Sequence, residues 1–239
     1  LVQAVQENSA DVGIAFDGDG DRLGVVTEKG EIIFPDQLMM IFTKDVLKNF
    51  PGKEIVFDVK CTNLLSNIIK ESGGIPVMSP TGHFHIKNTL KETNAPLAGE
   101  MSGHIFFNDK WHGFDDGHYS AFRLLEIMND LNIPLSTILD QLPKAFSTPE
   151  LNINIEEEKK FKIVKNFVDK AQFEGGSKIT IDGLRVDFDD GWGLIRASNT
   201  TPKLVLRFEA KTSSRLKEIK NMFLDQLKLI DETIQIDIS

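Results

Sequence analysis

Cysteine is almost absent from this sequence: Cys61 is the only one in 239 residues, which excludes an internal disulfide and fits a reducing cytoplasm. Basic residues are in deficit too, 27 lysines and arginines against 36 aspartates and glutamates, for a formal net charge of −9. A nucleic-acid binder normally presents a basic face, so that partner class is disfavoured. A small phosphorylated ligand is not, because it needs only a few cations focused in one cleft. No apolar run approaches the ~18 residues that span a bilayer, so no membrane partner is expected. The opening, Leu1-Val2-Gln3-Ala4-Val5-Gln6-Glu7-Asn8, has neither the basic segment nor the apolar core of a signal peptide. It also lacks an initiator Met, as expected of a segment whose true N-terminus lies upstream. Internal repeats and low-complexity tracts are missing as well.

What remains is an ordinary globular balance of 41% hydrophobic and 26% charged residues, enough for one large domain or two smaller ones. Residues 1–10 read as the end of a helix feeding a strand, Val12-Gly13-Ile14-Ala15-Phe16, followed by a hairpin that turns at Glu28-Lys29-Gly30. From Pro35 the period changes, and Leu38, Ile41, Phe42 and Val46 share one helical face. Strands at 55–57 and 76–78 then alternate with helices near 62–72, 84–93 and 118–131, the pattern of a parallel α/β sheet. Ligands bind such sheets at the carboxyl ends of the strands. After Pro143 the pattern shifts. An alternating strand at 151–155, a charged helix at 157–171, short strands flanking Asp182-Gly183, strands around Trp192 and a last helix at 213–228 predict a separate, smaller α+β domain, with a boundary within residues 144–150.

The segment Phe16-Asp17-Gly18-Asp19-Gly20-Asp21-Arg22 carries the most chemistry. Aspartates at i, i+2 and i+4 of an extended loop can point the same way, and the glycines let the backbone curl. Three converging carboxylates repel one another unless a cation sits between them, and oxygen-only ligands favour magnesium or calcium over zinc. The plainer reading is a solvated acidic turn. An EF-hand is rejected, because Arg22 stands where that loop requires glycine and the flanks read as strands. A phosphatase of the haloacid-dehalogenase type is a sharper rival. Asp17 would be its nucleophile, Asp19 its general acid, Lys60 its later lysine and Asp115-Asp116 its later acidic pair, although Asp21-Arg22 falls where that family has Thr or Val.

Four further stretches carry candidate residues, and those of Lys60, His83 and Arg196 follow predicted strands. Lys60 lies in Asp58-Val59-Lys60-Cys61-Thr62-Asn63 and His83 in Thr81-Gly82-His83-Phe84; either could be a plain surface residue, although histidine titrates near neutrality. Gly99-Glu100-Met101-Ser102-Gly103-His104 sets a carboxylate, a hydroxyl and an imidazole at i, i+2 and i+4, which suits a polyhydroxylated ligand as well as a turn. In the second domain Arg196-Ala197-Ser198-Asn199-Thr200-Thr201-Pro202 joins an arginine fork to neutral donors and backbone amides, a cradle for phosphate, with Arg207 as a second cation. A polar hairpin loop with an incidental arginine is the alternative.

Together these segments resemble the α-D-phosphohexomutase superfamily, and within it the phosphomannomutase/phosphoglucomutase branch. Asp17-Gly18-Asp19-Gly20-Asp21-Arg22 is similar to its metal loop, Gly99 to His104 to its sugar-specificity loop, and Arg196 to Thr200 to its phosphate-binding loop. All three in this order are specific, and the phosphatase-type reading explains neither of the last two. The resemblance runs end to end and implies three parts: the end of domain two over 1–34, a mixed or parallel-sheet α/β domain three over 35–146, and a smaller α+β domain four over 147–239. The superfamily's phosphoserine motif, of the Thr-Ala-Ser-His-Asn-Pro type, matches no segment here, so the missing N-terminal domains of the same protein would be partners and the isolated chain is expected to be inactive.

What the resemblance implies is a two-step intramolecular phosphotransfer between hexose 1-phosphate and hexose 6-phosphate, through a phosphoserine and a bisphosphate intermediate. Asp17, Asp19 and Asp21 would hold magnesium, and Arg22 would contact the moving phosphoryl group. Glu100 and Ser102 would hold the sugar, Arg196, Ser198, Asn199 and Thr200 the phosphate that does not react. Lys60, His83 and His104 would line the reacting end, with either histidine able to carry a proton. Met101 and Asn199 are more similar to the mannose/glucose branch than to the glucosamine branch. A sugar-phosphate-binding module without catalysis is the remaining alternative.

Overall fold

The computed structural model describes residues 1–232 and Ile234. The chain divides into two units, Leu1–Pro143 and Lys144–Ser239. In chain order the first holds α1 (Val2–Asn8), β1 (Val12–Phe16), β2 (Leu23–Thr27), β3 (Ile32–Ile33), α2 (Pro35–Asn49), β4 (Glu54–Asp58), α3 (Asn63–Glu71), β5 (Ile75–Ser79), α4 (His83–Thr93), β6 (Leu97–Gly99), β7 (Ile105–Phe107), α5 (Gly117–Leu131) and α6 (Leu135–Asp140).

Two sheets organise this unit. Strands β1, β2 and β3 form an antiparallel meander, with Val12 opposite Thr27 and Val25 opposite Ile33. The second sheet has the order β5-β4-β6-β7; β4 runs parallel to both β5 and β6, and β7 runs antiparallel to β6. Side chains alternate across β4, so Ile55 and Phe57 join the core that holds Leu38 and Phe42 of α2 and Leu65 and Ile69 of α3. Val56 points the other way, to Ile86 and Leu90 of α4. A sheet with helices on both faces must be apolar on both, which is why Ile-Val-Phe runs unbroken through β4.

Local chemistry starts the helices where they begin. Pro35 opens α2, and the Gln37 side chain accepts from Phe34 N at 2.9 Å. Thr62 Oγ1 accepts from Leu64 N at 3.1 Å at the head of α3, and Asp116 Oδ1 accepts from Tyr119 N at 2.9 Å at the head of α5. The expected strand–helix alternation breaks once. After β6 the chain turns through Glu100 to His104 straight into β7, with Gly103 at φ +101°, because so short a connection can make an antiparallel pair but not a crossover. Helix α6 also has no counterpart among the expected elements.

The second unit contains β8 (Phe146–Ser147), β9 (Leu151–Asn154), α7 (Glu157–Lys170), β10 (Ser177–Ile179), β11 (Leu184–Phe188), β12 (Gly191–Ala197), β13 (Lys203–Ala210) and α8 (Ser213–Ile230). Its antiparallel sheet runs β10-β11-β12-β13, and β8 and β9 pair with successive stretches of β13. Phe167 of α7 and Phe223 of α8 cover one face, over Val186, Ile195, Leu206 and Phe208. Gly193 sits directly beneath the Phe223 ring, where a Cβ would stand 2.5 Å from Cε2, so the close approach of α8 requires glycine there. Among the described residues no helix is long and apolar enough to cross a membrane.

Candidate active site

The three-aspartate loop connects β1 to β2 at one end of the meander. Carboxylate oxygens of Asp17, Asp19 and Asp21 lie within 4.8 Å of one another. Arg22 Nε donates to Asp17 Oδ2 at 2.6 Å, and Arg22 N donates to Asp17 Oδ1 at 3.2 Å. Desolvation opposes ionisation of Asp17, but these bonds from Arg22 outweigh it and hold the carboxyl below its ordinary pKa. Asp21 Oδ1 is buried and makes no hydrogen bond, with Arg22 Nε 3.7 Å away. A converging, oxygen-only donor set with one orphaned buried oxygen fits a hard divalent cation.

Because β4, β5 and β6 are parallel, the segments that follow them emerge at the same end of the sheet, and this topology brings Lys60, His83 and Glu100 together. Glu100 is 1% exposed, and its two oxygens are divided between neighbours. Oε1 accepts from Gly82 N at 2.6 Å and Oε2 from His104 Nδ1 at 3.0 Å, with Ser102 Oγ 2.8 Å from the same nitrogen. A carboxylate oxygen facing Nδ1 favours the imidazole form that carries a proton there. Burial disfavours a charged imidazole at His104, but the bond to Glu100 and its charge, with Asp21 and Asp115 behind, outweigh it and raise the pKa.

The Gly99–His104 loop and the three-aspartate loop are joined by backbone. Arg22 bridges to His104, Leu23 N donates to Gly103 O at 3.2 Å, and His104 Nε2 lies 3.5 Å from Asp21 Oδ2. His83 is more exposed; its ring stacks 5.8 Å from that of His104, and its Nδ1 lies 3.3 Å from Asp115 Oδ2. Lys60 is buried with its charge beside Asp58.

In the second unit Arg196 stands near the end of β12 and is 5% exposed. Its Nε donates to Asp182 Oδ2 at 2.8 Å, while Nη2 is buried with no hydrogen-bond partner. Ser198 Oγ accepts from Thr200 N at 3.3 Å and Thr201 N at 3.1 Å, which folds the loop onto its own serine. Lys160 of α7, itself buried, donates to Thr201 O at 3.0 Å and braces the loop from behind. Arg207 lies on the same face of the sheet, opposite Leu194, with its guanidinium 5.8 Å from the Trp192 ring centroid.

Several residues around these loops were not among the expected site residues. Asp115, considered above only for a phosphatase, binds His83 and receives Lys87 Nζ at 2.6 Å. Lys87 stands four residues after His83 on α4, a helical spacing that could have marked it. Asp116 is instead the cap of α5. Asp182 and Lys160 reach the Arg196–Thr201 loop from other elements, and Asp58 ends β4 beneath three loops. A carboxylate closing an apolar strand was the available signal for Asp58.

The family model described as phosphoglucomutase/phosphomannomutase, alpha/beta/alpha domain III, matches residues 34–146; that for the C-terminal domain matches 150–226, and that for domain II matches 1–30. A phosphomannomutase/phosphoglucomutase of Pseudomonas aeruginosa is 52% identical over 236 residues, covering 99% of this chain and 51% of that protein. A phosphoglucomutase of Neisseria gonorrhoeae is 53% identical over 225 residues, covering 93% and 49%. The crystal structure of a phosphoglucomutase/phosphomannomutase family protein from Burkholderia thailandensis superposes with a TM-score of 0.92 at 48% identity, covering 98% of this chain and 50% of that one. The chain spans about half the length of the curated relatives it matches. Nothing in these comparisons supports the phosphatase-type alternative. With its three-aspartate loop in a setting that fits the metal cofactor these relatives imply, the chain belongs to the phosphoglucomutase/phosphomannomutase family and matches the C-terminal portion of the α-D-phosphohexomutase superfamily.

Proposed function

We propose that the chain supplies the metal, sugar and phosphate sites of a cytoplasmic phosphohexomutase that interconverts the 1- and 6-phosphates of glucose or mannose. The observation that carries this reading is the backbone bridge from Arg22 to His104, which sets the three-aspartate loop against the Glu100–Ser102 loop. Asp17, Asp19 and Asp21 would hold the ion, magnesium by the hardness of the donor set, and when bound it neutralises charge on the phosphoryl group in transfer. Residues 1–34, 35–146 and 147–239 are then the end of domain two, domain three and domain four of the longer protein, and the phosphorylated serine belongs to its N-terminal domains.

Within that frame each side chain has a task. Glu100 and Ser102 accept from and donate to sugar hydroxyls, while Lys60 and Arg22 add positive charge at the reacting end. The sugar hydroxyl loses a proton as it attacks phosphorus. His104 Nε2 takes that proton in one direction and returns it in the other, because Glu100 holds the opposite nitrogen. His83, anchored on Asp115, lines the same region. Arg196, with Nε committed to Asp182 and Nη2 unpaired, grips the phosphate that does not react, together with Ser198, Asn199 and Thr200. Arg207 offers a second cation on that face.

The test is a coupled assay of glucose 1-phosphate to glucose 6-phosphate, using the chain extended to the length of its curated relatives. Glu100→Ala is expected to lower kcat/KM on the order of a hundredfold. Equal turnover by parent and variant would overturn the assignment of the sugar loop.

A further inference from the structure

We propose that Asp58 is a positioning residue that locks the three loops lining the first unit's site into one arrangement; this rests on the sugar-binding reading of that site. Asp58 ends β4 and is 0% exposed. Its Oδ1 accepts from Cys61 Sγ at 3.1 Å and from Met101 N at 3.2 Å, and its Oδ2 accepts from Thr81 Oγ1 at 3.3 Å. Each donor belongs to a different loop. Cys61 follows Lys60, Thr81 precedes Gly82 and His83, and Met101 lies between Glu100 and Ser102.

The place of β4 in the sheet explains the reach. It lies between β5 and β6, with Asp58 opposite Ser79 and Phe57 opposite Gly99, so a side chain at its carboxyl end faces the loops that leave both neighbours. Glu100 ties two of the same loops through Gly82 N, and the Met101 amide next to it donates to Asp58, which adds the third. A buried plug with no other task would be a hydrophobe, because burying a carboxylate costs free energy that only several donors offset. Burial does raise the pKa of Asp58, against the charge of Lys60 and the bond from Cys61.

The donors sort in a way that makes asparagine informative. Its Oδ1 can still accept from Cys61 and Met101, and its amide can donate to Thr81 Oγ1, since a hydroxyl accepts as readily as it donates. Alanine keeps none of the three bonds.

The experiment is calorimetric titration of this chain with glucose 1-phosphate and magnesium, at a temperature where every variant is folded, alongside amide hydrogen exchange. Asp58→Ala is expected to weaken binding on the order of tenfold or more, while Asp58→Asn stays within about threefold of the parent. Exchange at Met101 and Gly82 should accelerate in Asp58→Ala relative to Leu65 and Ile69 of α3, which report the stability of the unit as a whole. Uniformly faster exchange with unchanged affinity of the folded protein would overturn the proposal and leave Asp58 a structural residue. An Asp58→Asn variant as weak as Asp58→Ala would overturn it too, because hydrogen-bond positioning survives that change. Should Asp58→Ala fail to fold, Thr81→Val removes one arm, and unchanged affinity and Gly82 exchange in that variant would be equally fatal. Glu100→Ala is the control: if it loses binding while Asp58→Ala does not, only this proposal falls, whereas no loss in Glu100→Ala removes the sugar-binding reading beneath it.

Discussion

Arg196 shows how much a single side chain can reveal. Asp182 holds its Nε edge and leaves Nη2 buried and unpaired, an arrangement that costs free energy unless an anion completes it. Arg196→Ala is expected to weaken glucose 1-phosphate and glucose 6-phosphate alike, each by ~1.5–3 kcal/mol, as measured by titration. Arg196→Lys should restore only part, since an ammonium cannot reproduce the fork. Unchanged affinity for both monophosphates in Arg196→Ala would mean that this loop does not hold phosphate. Asp19→Asn makes a second test: calorimetry should show weakened magnesium binding with little change in sugar-phosphate affinity, and an intact magnesium isotherm would refute the loop's role. At this scale the sequence was informative about residue type and loop, because carboxylate spacing and an arginine beside hydroxyls are local features. It was silent about Asp182, which reaches Arg196 from a different strand connection.

Elements carry their own tests. Helix α6 starts at Leu135 without a capping side chain of its own, and Glu28, in the turn between β2 and β3, caps it instead. Glu28 Oε2 accepts from Ser136 N at 3.1 Å, and Oε1 accepts from Ser136 Oγ. Desolvation opposes the ionised form, but the Ser136 bonds outweigh it and lower the pKa below its ordinary 4.5. A depressed carboxyl pKa contributes stability that is present above the unfolded-state value and lost as pH falls through the folded one. Glu28→Gln should therefore be less stable than the parent by about 1 kcal/mol near neutrality, with the gap closing below the ordinary 4.5. A gap that is constant with pH in thermal melts would exclude a charged cap. The N-terminus of α5 meets the three-aspartate loop just as closely: Gly117 N donates to Gly20 O at 3.1 Å, and a Cβ at Gly117 would stand 2.7 Å from Arg22 O. Gly117→Ala should push the loop away, lowering both stability, by ~1–3 kcal/mol in melts, and magnesium affinity in titration. The long helices were legible from their apolar periodicity and caps. Short β6 and β7 and helix α6 were not, since a few residues show no period and Glu28's cap comes from 108 residues away in sequence.

At the scale of the molecule, each unit has its own apolar core, so each has what an α/β or α+β domain needs to hold its loops in place. The chain contains no segment resembling the superfamily's phosphoserine motif, and it spans about half of its curated relatives. The 239-residue chain alone is therefore expected to show only background conversion of glucose 1-phosphate to glucose 6-phosphate in a coupled assay. Robust turnover would require a phosphoryl carrier within these residues and would sink the serine-dependent reaction proposed here.

The sequence by itself determined the class of fold, the order of the three loops and the residue types that carry charge in each. Those properties are written in nearest-neighbour terms: a period of two or 3.6, a glycine where the backbone must curl, aspartates two apart. Only the tertiary structure decided which loops share a surface and which side chains hold them there. Met101 meets Asp58 across 43 positions because β4 runs between β5 and β6 and all three strands end on the same side, and His83 meets Asp115 across 32 because the chain after β7 returns to bridge Phe106 at Asp115. Strand order leaves no periodicity along the chain, so a buried carboxylate that serves three loops at once reads in the sequence as one more aspartate at the end of a strand.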